Sequence, residues 1–229
     1  MKILVISDIH DSLNNVKKLR NIERDITIML GDFVEFGKPK IETVVTILEE
    51  LASQTLTLYV PGNCDPPDAT KDLNVKNTVN LHARYHTIDE YVFVGFGGSN
   101  PTPFNTPLEF PDDEIGNSLT NTINEVISKN IIKREELNDR LILVTHAPPR
   151  DTALDKIQSG AHVGSASIRR VIESYMPKLG LHGHIHEASG MEMLGKTLIV
   201  NPGPLAWGRY VILELSDKKI TCVQFRLLE

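Results

Sequence analysis

The sequence predicts an α/β protein with a largely parallel sheet, organised as a single domain over residues 1–229. Three observations support this. Short apolar runs alternate with stretches of helical periodicity through the first part of the chain. Five of those runs end directly in oxygen- or imidazole-bearing residues: Ile3–Ile6, Ile26–Leu30, Leu56–Val60, Leu141–Thr145 and Leu179–Leu181. A length of 229 residues, with 41% hydrophobic and 24% charged side chains, suits a globular chain with one large core. Ligands in open α/β sheets collect beyond the carboxyl ends of strands, so the five runs should deliver their polar residues to one rim.

Taken in order, Ile3–Ile6 reads as a buried strand that leads into Ser7-Asp8-Ile9-His10. Asp11 or Ser12 can cap a helix with apolar positions at Leu13, Val16, Leu19 and Ile22. The strand Ile26–Leu30 ends at Gly31-Asp32. A loop then reaches Pro39, which suits the first turn of a helix carrying Ile41, Val44, Val45, Leu48 and Leu51. Strand Leu56–Val60 leads to Pro61-Gly62-Asn63-Cys64-Asp65. The closely spaced β runs Thr78–Leu81, Arg84–Ile88 and Tyr91–Phe96 suggest antiparallel or mixed pairing. Residues 97–111 carry four prolines and two adjacent glycines, which forbids regular structure; this stretch is either a stiff surface excursion or a substrate-facing lid. A helix is expected over Asp112–Lys129, then the strand Leu141–Thr145 delivering His146. Ser165 should cap a helix that buries Ile168, Val171, Ile172 and Tyr175. Strand Leu179–Leu181 ends at His182-Gly183-His184-Ile185-His186. Four β runs close the chain: Met191–Leu194, Thr197–Val200, Tyr210–Leu215 and Ile220–Leu228. Two such halves facing one rim suggest two sheets packed face to face with helices outside.

Composition narrows the function classes. A net charge of −6 argues against an extended nucleic-acid surface, yet leaves room for a small anionic substrate in a cleft whose charge is reversed by bound cations. No apolar run reaches the roughly 18–20 residues of a membrane span, and the N-terminal run is too short for a signal peptide. The two cysteines, Cys64 and Cys222, give no disulfide framework. A cytoplasmic protein is expected, with homo-oligomerisation left open.

The chemistry lies in the strand-end residues. Asp8, His10, Asp32, Asn63, His146, His184 and His186 are seven candidate ligands of mixed oxygen and nitrogen type, suited to Mn²⁺, Fe²⁺, Zn²⁺ or Ni²⁺. Seven exceed the need of one zinc and suffice for two ions sharing a carboxylate. In order, Asp8-Ile9-His10, Gly31-Asp32, Gly62-Asn63-Cys64-Asp65, His146 and Gly183-His184-Ile185-His186 resemble the motifs of the calcineurin-like metallophosphoesterases. The resemblance implies a four-layer α/β/β/α sandwich of two mixed sheets and hydrolysis of a small phosphate ester by a metal-bound hydroxide. It also implies two divalent ions, manganese foremost. One would take Asp8, His10, Asp32 and His186; the other would take Asp32 as a bridge, with Asn63, His146 and His184. By the same resemblance Asp32, Asn63 and His146 are the catalytic group. The stretch from Gly164-Ser165 to His186-Glu187, with Asn201-Pro202-Gly203, is similar to a bacterial and archaeal phosphodiesterase-like branch.

Two departures from the family pattern bear on substrate. Cys64 stands where the family carries a histidine after the motif asparagine, and a neutral thiol is a poor donor beside an imidazolium. The loop Gly31–Gly37 contains no arginine of the kind that clamps phosphate in the protein serine/threonine phosphatases. Both favour a phosphodiesterase acting on small diesters, nucleotide-type ones among them, over a phosphomonoesterase. The remaining alternative is a metal-bound, non-catalytic protein scaffold; a two-metal amidohydrolase is disfavoured by the lack of an opening His-x-His and a bridging lysine. His162, just before a helix start, is a candidate to face substrate or donate a proton alongside Cys64. Arg150 is either a phosphate contact or a solvated charge. Phe104, Phe110 and Trp207 are read as packing anchors, although each could stack on a base. His82, His86 and His182 are read as structural, and Cys222 as a small core hydrophobe.

Overall fold

Four aliphatic residues in succession at Ile3–Ile6 are explained by a strand covered on both faces. In β1 (Lys2–Ile6), Ile3 and Val5 point into one apolar cluster, while Leu4 and Ile6 point into another on the opposite side. The computed structural model describes residues 1–37 and 40–229, so the helix start expected at Pro39 lies outside the described residues.

The chain builds two six-stranded sheets. The first has the order β12 (Lys219–Leu227), β11 (Arg209–Ser216), β1, β2 (Ile26–Met29), β3 (Leu56–Tyr59) and β4 (Thr78–Asn80). The second runs β5 (Arg84–Ile88), β6 (Tyr91–Phe96), β7 (Leu141–Thr145), β8 (Leu179–Leu181), β10 (Thr197–Asn201) and β9 (Gly190–Leu194). β1, β2, β3 and β4 are mutually parallel, as are β6, β7, β8 and β10; antiparallel pairing is confined to β11, β12, β5 and β9. The closely spaced middle runs therefore split between sheets: β4 adds in parallel to the first, and β5 with β6 opens the second as a hairpin.

Three apolar clusters separate four layers. The central one joins Ile3, Val5, Ile28 and Leu58 of the first sheet to Phe93, Ile142, Val144 and Leu181 of the second. Outside the first sheet lie α1 (Leu13–Lys18) and α2 (Ile41–Ala52), whose Val16, Val44, Ile47 and Leu48 pack on Leu4, Ile6 and Met29. Outside the second lie α3 (Asp112–Ser128), the short α4 (Leu137–Arg140) and α5 (Ala166–Tyr175), with Ile115, Leu119, Ile168 and Ile172 packed on Val94 and Leu143. The architecture is the expected four-layer α/β/β/α sandwich of two mixed sheets.

Local corrections have local causes. The first helix is shorter than its apolar spacing suggests, giving way to a 3₁₀ turn over Leu19–Asn21. Ser12 occupies its N-cap without a side-chain bond, whereas Ser165 accepts from the Ile168 N–H and caps α5 as expected. Cys222 is only half-buried on edge strand β12 and is not a core residue.

Candidate metal centre

The parallel strands of both sheets end on one rim, where all seven candidate ligands meet. Asp8, His10 and His186 form one group whose ligand atoms lie within 4.8 Å of one another; Asp32, His146 and His184 form a second. His10 Nε2 lies 3.1 Å from His186 Nε2, and His186 Nε2 lies 3.3 Å from Asp8 Oδ1. In the second group His146 Nε2 is 2.9 Å from Asn63 Oδ1 and 3.5 Å from Asp32 Oδ2. The same Asp32 Oδ2 is 3.9 Å from His10 Nε2, so one carboxylate oxygen lies between the groups.

Tight backbone turns bring these side chains inward. Asp8, His10, Asp32 and His184 all have positive φ, between 46° and 69°. Such conformations cost on the order of 1 kcal/mol or more per residue and persist only where surrounding structure enforces them. Here the Asp8 N–H donates to Gly31 O (2.9 Å) and the Ile9 N–H to Asp32 O (2.8 Å), tying the first two strand ends together. Glycine is required at 62, because a Cβ there would strike the Asp32 carboxylate, and at 183, where it would strike Ser7 Oγ.

The donor set fits bound cations. His146 Nδ1 donates to Leu30 O at 2.7 Å, and His10 Nδ1 to Val34 O at 3.2 Å, when each neutral ring carries its proton there. Both Nε2 lone pairs then face the cluster, an arrangement typical of metal-binding histidines held by backbone carbonyls. The His146 lone pair would then confront another acceptor, Asn63 Oδ1, which a shared cation relieves. Asp8 Oδ1 is buried without a hydrogen-bond partner among the described residues, while Oδ2 accepts from the His184 N–H at 3.2 Å. Burial pushes His184 down to about 4, with His146 acting in the same direction, so it stays neutral. Burial opposes a charge on His146, yet the adjacent Asp32 lifts it to about 9, so the negative charge that would draw a cation to Nε2 draws a proton there in its place. Asp32 is correspondingly held well below the usual carboxylate range despite its burial, chiefly by His146.

Further polar residues organise this rim. Asp65 is fully buried and accepts the N–H groups of Asp32 (3.0 Å), Phe33 (2.8 Å), Val34 (3.2 Å) and Gly62 (2.7 Å), fastening the second strand end to the third. Its place two residues after Asn63 was visible in sequence, but its role depends on donors some thirty positions away. Asn201 links Ile185 O and the Gly203 N–H, which supports the turn carrying His184 and His186. The Cys64 N–H donates to Asp32 Oδ1 at 2.8 Å, and its thiol is buried beside His10 and Asp32. Burial pushes the thiol pKa up strongly, with Asp32 adding to the shift, so Cys64 is a neutral thiol.

The proline-rich stretch 97–111 is a braced wall. The Glu109 carboxylate accepts from Thr102 N (3.1 Å) and Oγ1 (2.5 Å), and from Thr106 N (2.8 Å) and Oγ1 (2.6 Å). Thr106 Oγ1 in turn accepts from Asn63 Nδ2 at 3.0 Å, which turns Asn63 Oδ1 toward His146. A cavity of about 310 Å³ over the ligands is lined by Phe36, Cys64, Phe104 and Thr106 along with His10, Asp32, Asn63, His184 and His186. A second, of about 620 Å³, shares Phe104, His184 and His186 with it and runs past Arg150.

The structure keeps His162 out of both cavity linings; its Nδ1 lies 2.6 Å from Asp155 Oδ1. Phe110 packs on Phe96 and His82, whereas Phe104 is 69% exposed and Trp207 54%. His82 Nδ1 accepts from the Gly97 N–H, and His182 Nδ1 meets Thr145 Oγ1, both within the scaffold.

A two-sheet sandwich with acidic and imidazole side chains converging on its strand-end rim defines the class. The chain belongs to the calcineurin-like phosphoesterase family, whose sequence profile matches residues 1–188. Among its relatives, uncharacterized protein MJ1162 of Methanocaldococcus jannaschii is 38% identical over 214 residues, covering 92% of this chain and 91% of the relative. The crystal structure of TT1561 of Thermus thermophilus has a TM-score of 0.71 at 21% identity, covering 100% of this chain and 99% of that one. GAP50, the anchor in the inner membrane complex of Plasmodium, has a TM-score of 0.52 at 10% identity, covering 100% of this chain and 89% of its own. At these identities the two structures show a common fold alone. Among the described residues, no helix is long and apolar enough to cross a membrane.

Proposed function

We propose that this chain is a dinuclear metal-dependent phosphodiesterase acting on small diesters. The observation that carries the reading is the position of Asp32 Oδ2, 3.9 Å from His10 Nε2 in one group and 3.5 Å from His146 Nε2 in the other. Asp8, His10 and His186 would hold one cation and Asn63, His146 and His184 the other, with Asp32 reaching both. The mixed oxygen and imidazole set suits Mn²⁺, with Fe²⁺, Zn²⁺ or Ni²⁺ as alternatives. Cations bound there would supply Lewis acidity toward phosphoryl oxygens and lower the pKa of an attacking water.

The chain's own residues then determine which esters react. Asp32 and Asp8, both buried, would provide the negative charge that retains such cations. Asn63 is oriented by Thr106, and His146 by Leu30 O, so both ligand atoms are set before substrate arrives. Cys64 lines the cavity over the ligands as a neutral thiol and offers little help to a departing alkoxide. A leaving group that needs no proton is therefore favoured, and aryl diesters should outpace alkyl monoesters.

The test is the ratio of bis(p-nitrophenyl) phosphate to alkyl phosphate monoester hydrolysis under saturating Mn²⁺. It should exceed one in the wild type and fall in Cys64→His through a selective gain in monoesterase rate, a general acid being worth about 10²–10⁴-fold. A wild type that prefers monoesters, or an unchanged ratio in Cys64→His, would count against Cys64 as selector. Absence of turnover on every ester with metals bound would favour the scaffold alternative.

A further inference from the structure

The larger cavity meets the candidate ligands only at His184 and His186, and the rest of its wall is chemically distinct. It measures about 620 Å³, within the range of about 300–1,000 Å³ common for small-molecule sites. Pro101, Pro103, Phe104, Ile157 and Ile185 supply apolar surface, and Arg150 and Gln158 supply polar groups. Its inner end is formed by His184 and His186, so an ester whose phosphorus sits over the ligands would extend one substituent directly into it.

Besides His184 and His186, Phe104 is shared by both cavities, and its side chain is 69% exposed. Its backbone is nevertheless fixed: the Phe104 N–H donates to Thr102 Oγ1 at 3.2 Å, and Thr102 is held by Glu109. The Asn100 side chain ties the same loop to Val163 O at 3.2 Å, across the groove. An aromatic ring presented to solvent from a braced loop is a preformed stacking surface. The Arg150 guanidinium has neither a hydrogen bond nor an ion pair among the described residues, although its neighbour Arg169 has both. A guanidinium offers donors in a plane and so suits the acceptor-bearing edge of a flat heterocycle.

We propose that this groove is a binding subsite for a flat aromatic ester group bearing hydrogen-bond acceptors, of nucleobase type, stacked on Phe104 and met at its edge by Arg150. The proposal rests on the phosphodiesterase reading for the placement of the phosphorus, and it adds the identity of the group beside it. Base–aromatic stacking commonly accounts for about 10-fold or more in affinity.

Binding tests the subsite independently of turnover. The metal-loaded protein is titrated with thymidine 5′-monophosphate, phenyl phosphate and methyl phosphate. The signal is the fluorescence of Trp207, the sole tryptophan, whose ring lies 5.6 Å from that of His186; calorimetry provides the check. The nucleotide should bind at least about 10-fold tighter than methyl phosphate, with phenyl phosphate between them. Phe104→Ala should collapse both preferences, and Arg150→Met only the preference for nucleotide over phenyl phosphate. Equal affinities for the three ligands, or preferences that survive Phe104→Ala in a protein with an unchanged melting temperature, would overturn the subsite. The methyl, phenyl and thymidine 5′ p-nitrophenyl phosphodiesters, which share one leaving group, are assayed in parallel. Failure to cleave any of them would refute the phosphodiesterase reading while the binding series still decides the groove.

Discussion

At the scale of single residues, orientation of the ligands matters as much as their identity. Asn63 offers an oxygen and a nitrogen of similar size, and Thr106 determines which faces inward by accepting from Nδ2. Thr106→Val removes that acceptor while nearly conserving volume, so the amide loses its preference for presenting Oδ1. Metal titration should show binding weakened by roughly 10–100-fold, the usual effect of losing such a supporting contact, and Thr106→Ser should restore it. An unchanged titration in Thr106→Val would remove Thr106 from this role. The seven candidate ligands stood out in the sequence because each follows an apolar run at a strand end. Thr106 and Glu109 were not, because their effect on Asn63 is exerted across 43 positions of chain by hydroxyl and carboxylate contacts that leave no periodic trace. His162 shows the same limit from the other side: its place near a helix start was visible in sequence, but its partner Asp155, seven positions away, was not.

At the scale of elements, the turn leading into β5 carries the clearest pH sensitivity away from the ligands. His82 stacks against Phe96 and Phe110, with ring centroids 4.5 and 5.5 Å away, and accepts the Gly97 N–H. Burial, with Arg84 adding, lowers its pKa from 6.5 to about 4. Between those values the unfolded chain binds the proton that the folded chain refuses, so stability falls as pH drops through this window. The full effect is on the order of 3 kcal/mol. His82→Asn keeps an acceptor for Gly97, and its denaturation midpoint should depend less steeply on pH between 6.5 and 4 than that of the wild type. Identical pH slopes in urea melts would assign the acid sensitivity elsewhere. The inner strands were readable to within a residue or two because both of their faces are buried. The 3₁₀ turn at Leu19–Asn21 was hidden, since Leu19 and Ile22 preserve an apolar spacing that suits α-helix and 3₁₀-helix alike.

At the scale of the whole molecule, the candidate metal centre is a joint between two sheets. Asp8, His10, Asp32 and Asn63 follow strands of the first sheet, and His146, His184 and His186 follow strands of the second. Each of the two groups proposed to hold a cation draws residues from both sheets, so the central apolar cluster that fixes the separation of the sheets also fixes the distances within each group. The two-layer pairing was suggested by the repetition of strand-end ligands in both halves, and the resemblance supplied the four layers. Which strands are edges, and that β4 and β5 belong to different sheets, depends on long-range pairing that periodicity does not encode.

The central claim is that Asp32 serves both groups, and metal content measures it most directly. Wild-type protein, loaded with Mn²⁺ and freed of excess, should retain two equivalents per chain, whereas Asp32→Ala should lose both. Retention of two equivalents by a folded Asp32→Ala protein would contradict the account.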